Sequence, residues 1–170
     1  MSDTAKIKEI KYFSRFEHEI DEKRRVQIPA DWRPEAGVEA SYIMLRWWDQ
    51  KQDMDVNHLR VFPRERFELI AGRIQSEISP SDEEAIEMSR EIFGGAFAMS
   101  LDKAGRLCIP ELLVNQIKLG KEVTLLGGFD HFEIWSKQTY ENRRVDTPAA
   151  RIKINQKFGE LFHKTKALPS

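Results

Sequence analysis

The sequence predicts an α+β fold in which one β-turn-β-α-β-β-α unit occurs twice in tandem. Three observations lead there. Phe16-Glu-His-Glu-Ile-Asp-Glu-Lys-Arg-Arg-Val-Gln-Ile-Pro29 aligns without gaps on Phe97-Ala-Met-Ser-Leu-Asp-Lys-Ala-Gly-Arg-Leu-Cys-Ile-Pro110, at a constant offset of 81 residues. Further along each copy, Leu59-Arg-Val-Phe-Pro-Arg-Glu-Arg-Phe67 parallels Phe132-Glu-Ile-Trp-Ser-Lys-Gln-Thr-Tyr140, a strand pattern running straight into a helix pattern. A chain of 170 residues, 41% of them hydrophobic, suffices for one domain or for two small units sharing a core.

Each copy opens with a short apolar strand, breaks at a polar turn (Asp21 to Arg24, Asp102 to Gly105) and resumes as a second short strand ending at Ile28 or Ile109. Pro29 and Pro110 have no N–H for a sheet ladder but fit the first turn of a helix. Short helices are therefore expected over 30–36 and 111–119, closed by Gly37 and Gly120, with Pro34 working against the first. A hairpin follows in each copy, about 41–48 with 58–62 and 121–126 with 131–135, and Gly127 to Asp130 supplies the second turn. Phe67, Ile70, Ala71 and Ile74 then fall at helical spacing. Between the copies, Ser81 followed by Glu84 has the form of a capping box, Ala85, Met88, Ile92 and Phe93 make an apolar stripe, and Gly94-Gly95 stops it. Beyond Arg144, Thr147-Pro148 opens a last helix with Ile154, Phe158, Leu161 and Phe162 on one side. The chain thus divides into an N-terminal arm (1–11), a first repeat (12–75), a connecting helix (76–94), a second repeat (95–144) and a basic C-terminal extension (145–170).

A net charge of −1 gives no global sign of a polyanion binder, so any basic surface must be local. From 143 to 170 seven cations face two carboxylates, whereas from 64 to 91 four arginines face eight acids; this implies polarised faces, although solvated helix surfaces also look this way. No stretch approaches the roughly 20 apolar residues of a membrane span, and the start of the chain lacks the apolar core of a signal peptide, so a cytoplasmic protein without membrane association is expected. Cys108, the single cysteine, excludes an internal disulfide and is expected to be buried. His18, His58, His131 and His163 share no ligand spacing and read as surface or turn histidines. No metal and no cofactor is expected, and no nucleophile–base motif marks an enzyme or a small-molecule substrate.

The chemistry of the repeat is concentrated in its turns. Lys23, Arg24 and Arg25 in the first, and Lys103 and Arg106 in the second, can set cations at a groove edge while the flanking strands stay rigid. Lysines suit phosphates, and an arginine can read a guanine edge. Asp21 and Asp102 are expected to form and orient the turns, because carboxylates repel phosphate and aspartate bonds its own turn backbone. An Asp four residues before an Arg across a turn is also an intramolecular brace, and for Arg25 and Arg106 that reading stands beside DNA contact. Lys23 and Arg24 have no such acid and are the freer cations.

The paired Asp-x-x-x-Arg, apolar strand and proline, here DEKRRVQIP and DKAGRLCIP, resembles the MraZ family of bacterial transcriptional regulators. Glu133-Ile-Trp135, Leu126 to Gly128, Pro63 to Glu65 and Phe93 to Ala96 sit in the order found in that family, so the likeness spans about 12–144. The resemblance implies a tandem fold of the AbrB-like swapped-hairpin type with a small barrel-like core, and a homo-oligomeric ring. It further implies sequence-specific binding of double-stranded DNA at promoter direct repeats ahead of the division and cell-wall gene cluster, and hence a nucleoid association. Three features depart from the family: Arg24 replaces a turn glycine, residues 49–57 lengthen the first hairpin, and the tail after Arg144 is long. If that turn needs a left-handed backbone, Arg24 strains it unless its charge compensates. The tail and the long hairpin also admit a second reading, a ring-forming interaction protein or scaffold with weak or lost DNA binding.

Overall fold

Apolar alternation interrupted by Asp and Pro at matching places gives each copy the same succession of short strands. The computed structural model describes residues 9–51, 54–143 and 147–166. The first copy contributes β1 (Arg15–Glu19), β2 (Arg25–Gln27), β3 (Ser41–Lys51), β4 (Met54–Pro63) and helix α1 (Arg64–Glu77). Helix α2 (Glu83–Gly94) leads into the second, built from β5 (Ala96–Ser100), β6 (Arg106–Cys108), α3 (Glu111–Gln116), β7 (Glu122–Gly127), β8 (Phe132–Ser136) and α4 (Lys137–Arg143). Helix α5 (Pro148–Lys166) follows. Positions 1–8 of the expected arm, 52–53 of the lengthened hairpin, and 144–146 and 167–170 of the extension lie outside the described residues.

The first two strands of each copy pair with the other copy. The larger sheet is antiparallel with the order β1-β7-β8-β4-β3-β5, and β2 pairs with β6 in a separate ribbon. Exchanging the two copies leaves this order unchanged, so a quasi-two-fold axis runs between β4 and β8 and through the ribbon. Both hairpins, β3 with β4 and β7 with β8, stay within their own copies.

Period-two alternation then assigns the two faces of the sheet. Tyr42, Met44, Leu59, Val61, Phe132 and Ile134 point to one side and are buried against Val26, Ile28, Leu107 and Ile109 of the ribbon. Trp32 closes this core, edge-on to Phe16 at 5.2 Å and donating its indole N–H to the Phe13 carbonyl at 3.0 Å. On the opposite side Ile43, Leu45 and Phe62 form a smaller cluster beneath Phe67, Ile70 and Ile92 of α1 and α2.

Several expectations change. The helix expected over 30–36 is a single 3₁₀ turn, Ala30–Trp32, because Pro34 forbids its continuation. The second ends at Gln116, before Lys118 turns left-handed at φ 52° and Leu119 N–H bonds the Val114 carbonyl. Asp82, not Ser81, caps α2: its carboxylate accepts the Ala85 N–H at 3.0 Å, while the Ser81 hydroxyl is taken up by Ser79 at 2.9 Å. The extra residues of the first hairpin continue its ladder, with Trp48 opposite Asn57 and Lys51 opposite Met54. Cys108 is exposed, since alternation with buried Leu107 turns it outward. Two histidines are also not surface groups. The β4–β8 pairing brings His58 and His131 to Glu133, each imidazole Nε2 lying 3.5 Å from its Oε1, with Arg60 Nε equally close.

This polar cluster is packed on both sides. His58 stacks on Trp135 at 4.1 Å and His131 on Phe62 at 4.9 Å, while Trp135 Nε1 donates to Glu133 at 2.8 Å and Asp130 meets both His131 and Arg66. Burial disfavours a charged His131, but the carboxylates of Glu133 and Asp130 outweigh it and hold the imidazole above its ordinary 6.5. Burial likewise opposes ionisation of Glu133, and contacts from His131, His58 and Trp135 outweigh it, so its pKa falls far below the ordinary 4.5. The charged imidazolium stabilises the fold fully below pH 6.5, and this is lost as pH rises through its raised value. The carboxylate contributes fully above pH 4.5 and is lost only as pH falls through its depressed value. Thermal melts should therefore show higher stability between pH 4.5 and 6.5 than at alkaline pH, and Glu133→Gln should flatten that alkaline decline; an unchanged profile in the variant would refute the coupling.

Candidate nucleic-acid interface

Each turn is organised by its aspartate. In the first, Asp21 Oδ1 accepts the backbone N–H groups of Lys23 and Arg25 at 2.9 and 2.8 Å, and Oδ2 accepts Arg25 Nε at 2.7 Å. In the second, Asp102 Oδ1 accepts Ala104 and Arg106 N–H, both at 2.9 Å, and Oδ2 accepts Arg106 Nε at 2.8 Å. The Arg25 N–H, aided by the guanidinium, holds Asp21 below the usual carboxylate range, and Arg106 does the same for Asp102. Both aspartates therefore remain charged partners of their arginines at neutral pH.

The ribbon places these turns on one surface. Arg25 lies opposite Cys108 and Gln27 opposite Arg106, with Val26 and Leu107 paired between them and fully buried. Because neighbouring strand residues point to opposite faces, Arg25, Gln27, Arg106 and Cys108 share the outer one. The arginine side chains keep 29% and 33% of their surface exposed, so the brace does not bury them. A guanidinium has five N–H donors. Bonding Nε to Asp fixes the side chain and leaves it partly exposed, so a brace does not by itself exclude an outward contact.

Cross-strand contacts lock the turns to the ribbon. Gln27 Nε2 donates to the Ala104 and Gly105 carbonyls at 2.9 and 3.2 Å, and at the quasi-equivalent place the Cys108 thiol donates to the Lys23 carbonyl at 3.4 Å. Ile28 N–H bonds the Gly105 carbonyl, and Ile109 N–H bonds that of Arg24. Lys23 and Lys103 stand exposed at the turn tips. Arg24 is less free than the sequence suggests: it is half-buried and donates Nε to the Ile109 carbonyl at 3.2 Å.

Arg24 does adopt the left-handed backbone, at φ 59° against 76° for Gly105. The two turns differ in what lies above them. A Cβ at Gly105 would come within 2.6 Å of Arg33 Cδ, so Arg33 covers the second turn where Arg24 itself covers the first. Sequence reasoning missed Arg33, because its counterpart in the second copy is Val114 and the repeat alignment gives no cue. With it, the six cations Lys23, Arg24, Arg25, Arg33, Lys103 and Arg106 stand around the ribbon against the carboxylates of Asp21, Glu22 and Asp102, and Glu35 and Glu39 line the cleft beside Arg33 and Lys103. Among the described residues no group of three or more His, Cys, Asp or Glu is arranged to hold a metal, and no helix is long and apolar enough to cross a membrane.

A duplicated chain whose halves exchange strands and display a braced arginine on each arm of a shared ribbon is a tandem swapped-hairpin protein with a basic outer strip. The chain belongs to the MraZ family. The family described as "MraZ protein, putative antitoxin-like" matches residues 92–146. A "Transcriptional regulator MraZ" of Roseiflexus castenholzii is 33% identical over 150 residues, 88% of this chain and 98% of that protein. Its namesake in Dictyoglomus thermophilum is 30% identical over 155 residues, 90% and 99% of the two chains.

Gly105→Ala should destabilise the protein by about 1–2 kcal/mol in urea unfolding, from left-handed strain and crowding by Arg33. Arg24→Gly relieves the same strain but loses the bond to Ile109, so its stability should change by less than about 1 kcal/mol. Equal losses at both positions would contradict the assigned asymmetry.

Proposed function

We propose that this chain is a sequence-specific DNA-binding transcriptional regulator, not an enzyme, and that it acts in the cytoplasm on the nucleoid. The β2–β6 ribbon enters the major groove, which is wide enough for a two-stranded ribbon. Lys23 and Lys103, at the tips, meet phosphates and set the register; Arg25 and Arg106, held by Asp21 and Asp102, read base edges; and Arg24 and Arg33 reinforce the field along the backbone. The observation that carries this reading is the pair of Asp-braced, partly exposed arginines on the outer face of one ribbon. The names of the relatives point the same way.

One ribbon offers few contacts. A head-to-tail ring presenting successive ribbons to short direct repeats upstream of the division and cell-wall genes would gain affinity from linked sites. A second reading, a ring-forming scaffold with weak DNA binding, draws support from the exposed apolar side of α5.

Selection of genomic fragments followed by footprinting tests both readings. Arg25→Ala with Arg106→Ala should keep the melting profile near the parent's yet lose roughly 10- to 100-fold or more of preference for selected sites over random DNA. Lys23→Ala with Lys103→Ala should weaken all DNA alike and make the log affinity versus log salt slope shallower by about 0.9 for each phosphate no longer neutralised. Assembly without affinity for any fragment would leave the scaffold reading.

A further inference from the structure

Two surfaces away from the ribbon are apolar and open to solvent among the described residues. Neither α1 nor α2 contains a fully buried residue, and between them and the sheet runs an apolar groove of about 310 Å³ lined by Trp47, Phe62, Phe67, Ile70, Met88 and Ile92 among others. The second surface is α5, nineteen residues long, whose Ile154 and Phe158 are each 68% exposed, with Leu161 and Phe162 about half exposed. These four fall on one stripe at i, i+4, i+7 and i+8, and Phe158 stacks on Phe162 at 5.9 Å. Exposing four large apolar groups on one helix side is characteristic of an interaction surface.

Charge identifies the occupant. Successive helical residues advance by about 100°, which places Lys153, Lys157 and Lys164, with Glu160 the one acid among them, along one flank of the α5 stripe. The same projection places Glu84, Glu87 and Glu91 along the flank of the Met88–Ile92 stripe on α2, on the same rotational side. Two helices charged on the same rotational side bring those flanks together when they pack antiparallel. The local pairs Glu87–Arg90 at 2.8 Å and Lys157–Glu160 at 3.8 Å are solvent-exposed and cheap to rearrange.

We infer that α5 of one copy docks antiparallel along α2 in the α1–α2 groove of a second copy, with its lysine flank against Glu84, Glu87 and Glu91. Helix and groove are different surfaces, so each copy offers one of each and the contact propagates head to tail. The inference rests on the head-to-tail association proposed above and is independent of DNA contact.

Cross-linking of single-cysteine proteins tests it. In a Cys108→Ser background, one protein carries Phe158→Cys and another Ile74→Cys. Mild oxidation of the two mixed should yield a disulfide-linked pair that neither forms alone. Efficient dimers of the Phe158→Cys protein by itself would mean α5 pairs with α5. A link confined within one chain in the double variant would mean that α5 folds into its own groove. Either overturns the inference, as would binding of wild-type protein to anionic vesicles with no self-association.

Sedimentation supplies the second measurement. Lys153→Glu, Lys157→Glu and Lys164→Glu together should weaken assembly at least roughly tenfold, and adding Glu84→Lys, Glu87→Lys and Glu91→Lys should restore it. A wild-type protein that assembles with a mass indifferent to these reversals sinks this interface alone. A wild-type protein that stays monomeric removes head-to-tail association as well. The Arg25→Ala, Arg106→Ala protein should assemble like the parent.

Discussion

The pairing of β2 with β6 is the constraint on which the rest depends. Each is only three residues long, too short to stand as an independent hairpin arm. Their central residues, Val26 and Leu107, are fully buried in the core that both copies share. Neither copy can bury its own strand without the other, so strand exchange is the way each completes its apolar face. The ribbon therefore lies on the quasi-two-fold axis, and whatever its outer face carries is presented twice in one plane.

The aspartates link that architecture to chemistry. A turn that must place a flexible arginine faces the entropy of a long side chain, and a carboxylate fixed by two backbone N–H groups removes much of it before any ligand arrives. Asp21 and Asp102 occupy this position with the same bonds to within about 0.1 Å. Intramolecular brace and outward contact, which stand as alternatives when only the spacing Asp-x-x-x-Arg is known, no longer exclude each other once the geometry is specified: Nε bonds the aspartate while about a third of each arginine side chain stays exposed. The pairs are partly solvated, so their value lies in positioning more than in stability.

Much of this was legible in the sequence. The gapless 81-residue repeat located both turns, both prolines and the paired arginines, because short-range turn chemistry is written in adjacent residues. What escaped depends on contacts between distant positions. Cys108 looked like a core thiol until the register set it opposite Arg25 on the outer face. His58 and Glu133 are 75 residues apart and meet only because β4 pairs with β8, so no ligand-type spacing could announce them. Arg33 was hidden by the duplication itself: comparing the copies highlights what they share, and the cover over Gly105 is a feature they do not share.

That broken symmetry bears on assembly. A perfectly duplicated chain would present equivalent surfaces on its two halves, and such surfaces favour closed pairs over directional chains. Here the core strands obey the duplication, while the connecting and terminal helices do not: α2 follows the first copy with an acidic flank and α5 the second with a basic one. Quasi-symmetry is kept in the ribbon, which carries two like arginines, and abandoned at α2 and α5, the helices of the proposed contact between copies. On that proposal directionality resides in the two helices that follow the repeats, outside the exchanged sheet, and the interface between copies would vary without disturbing the turns.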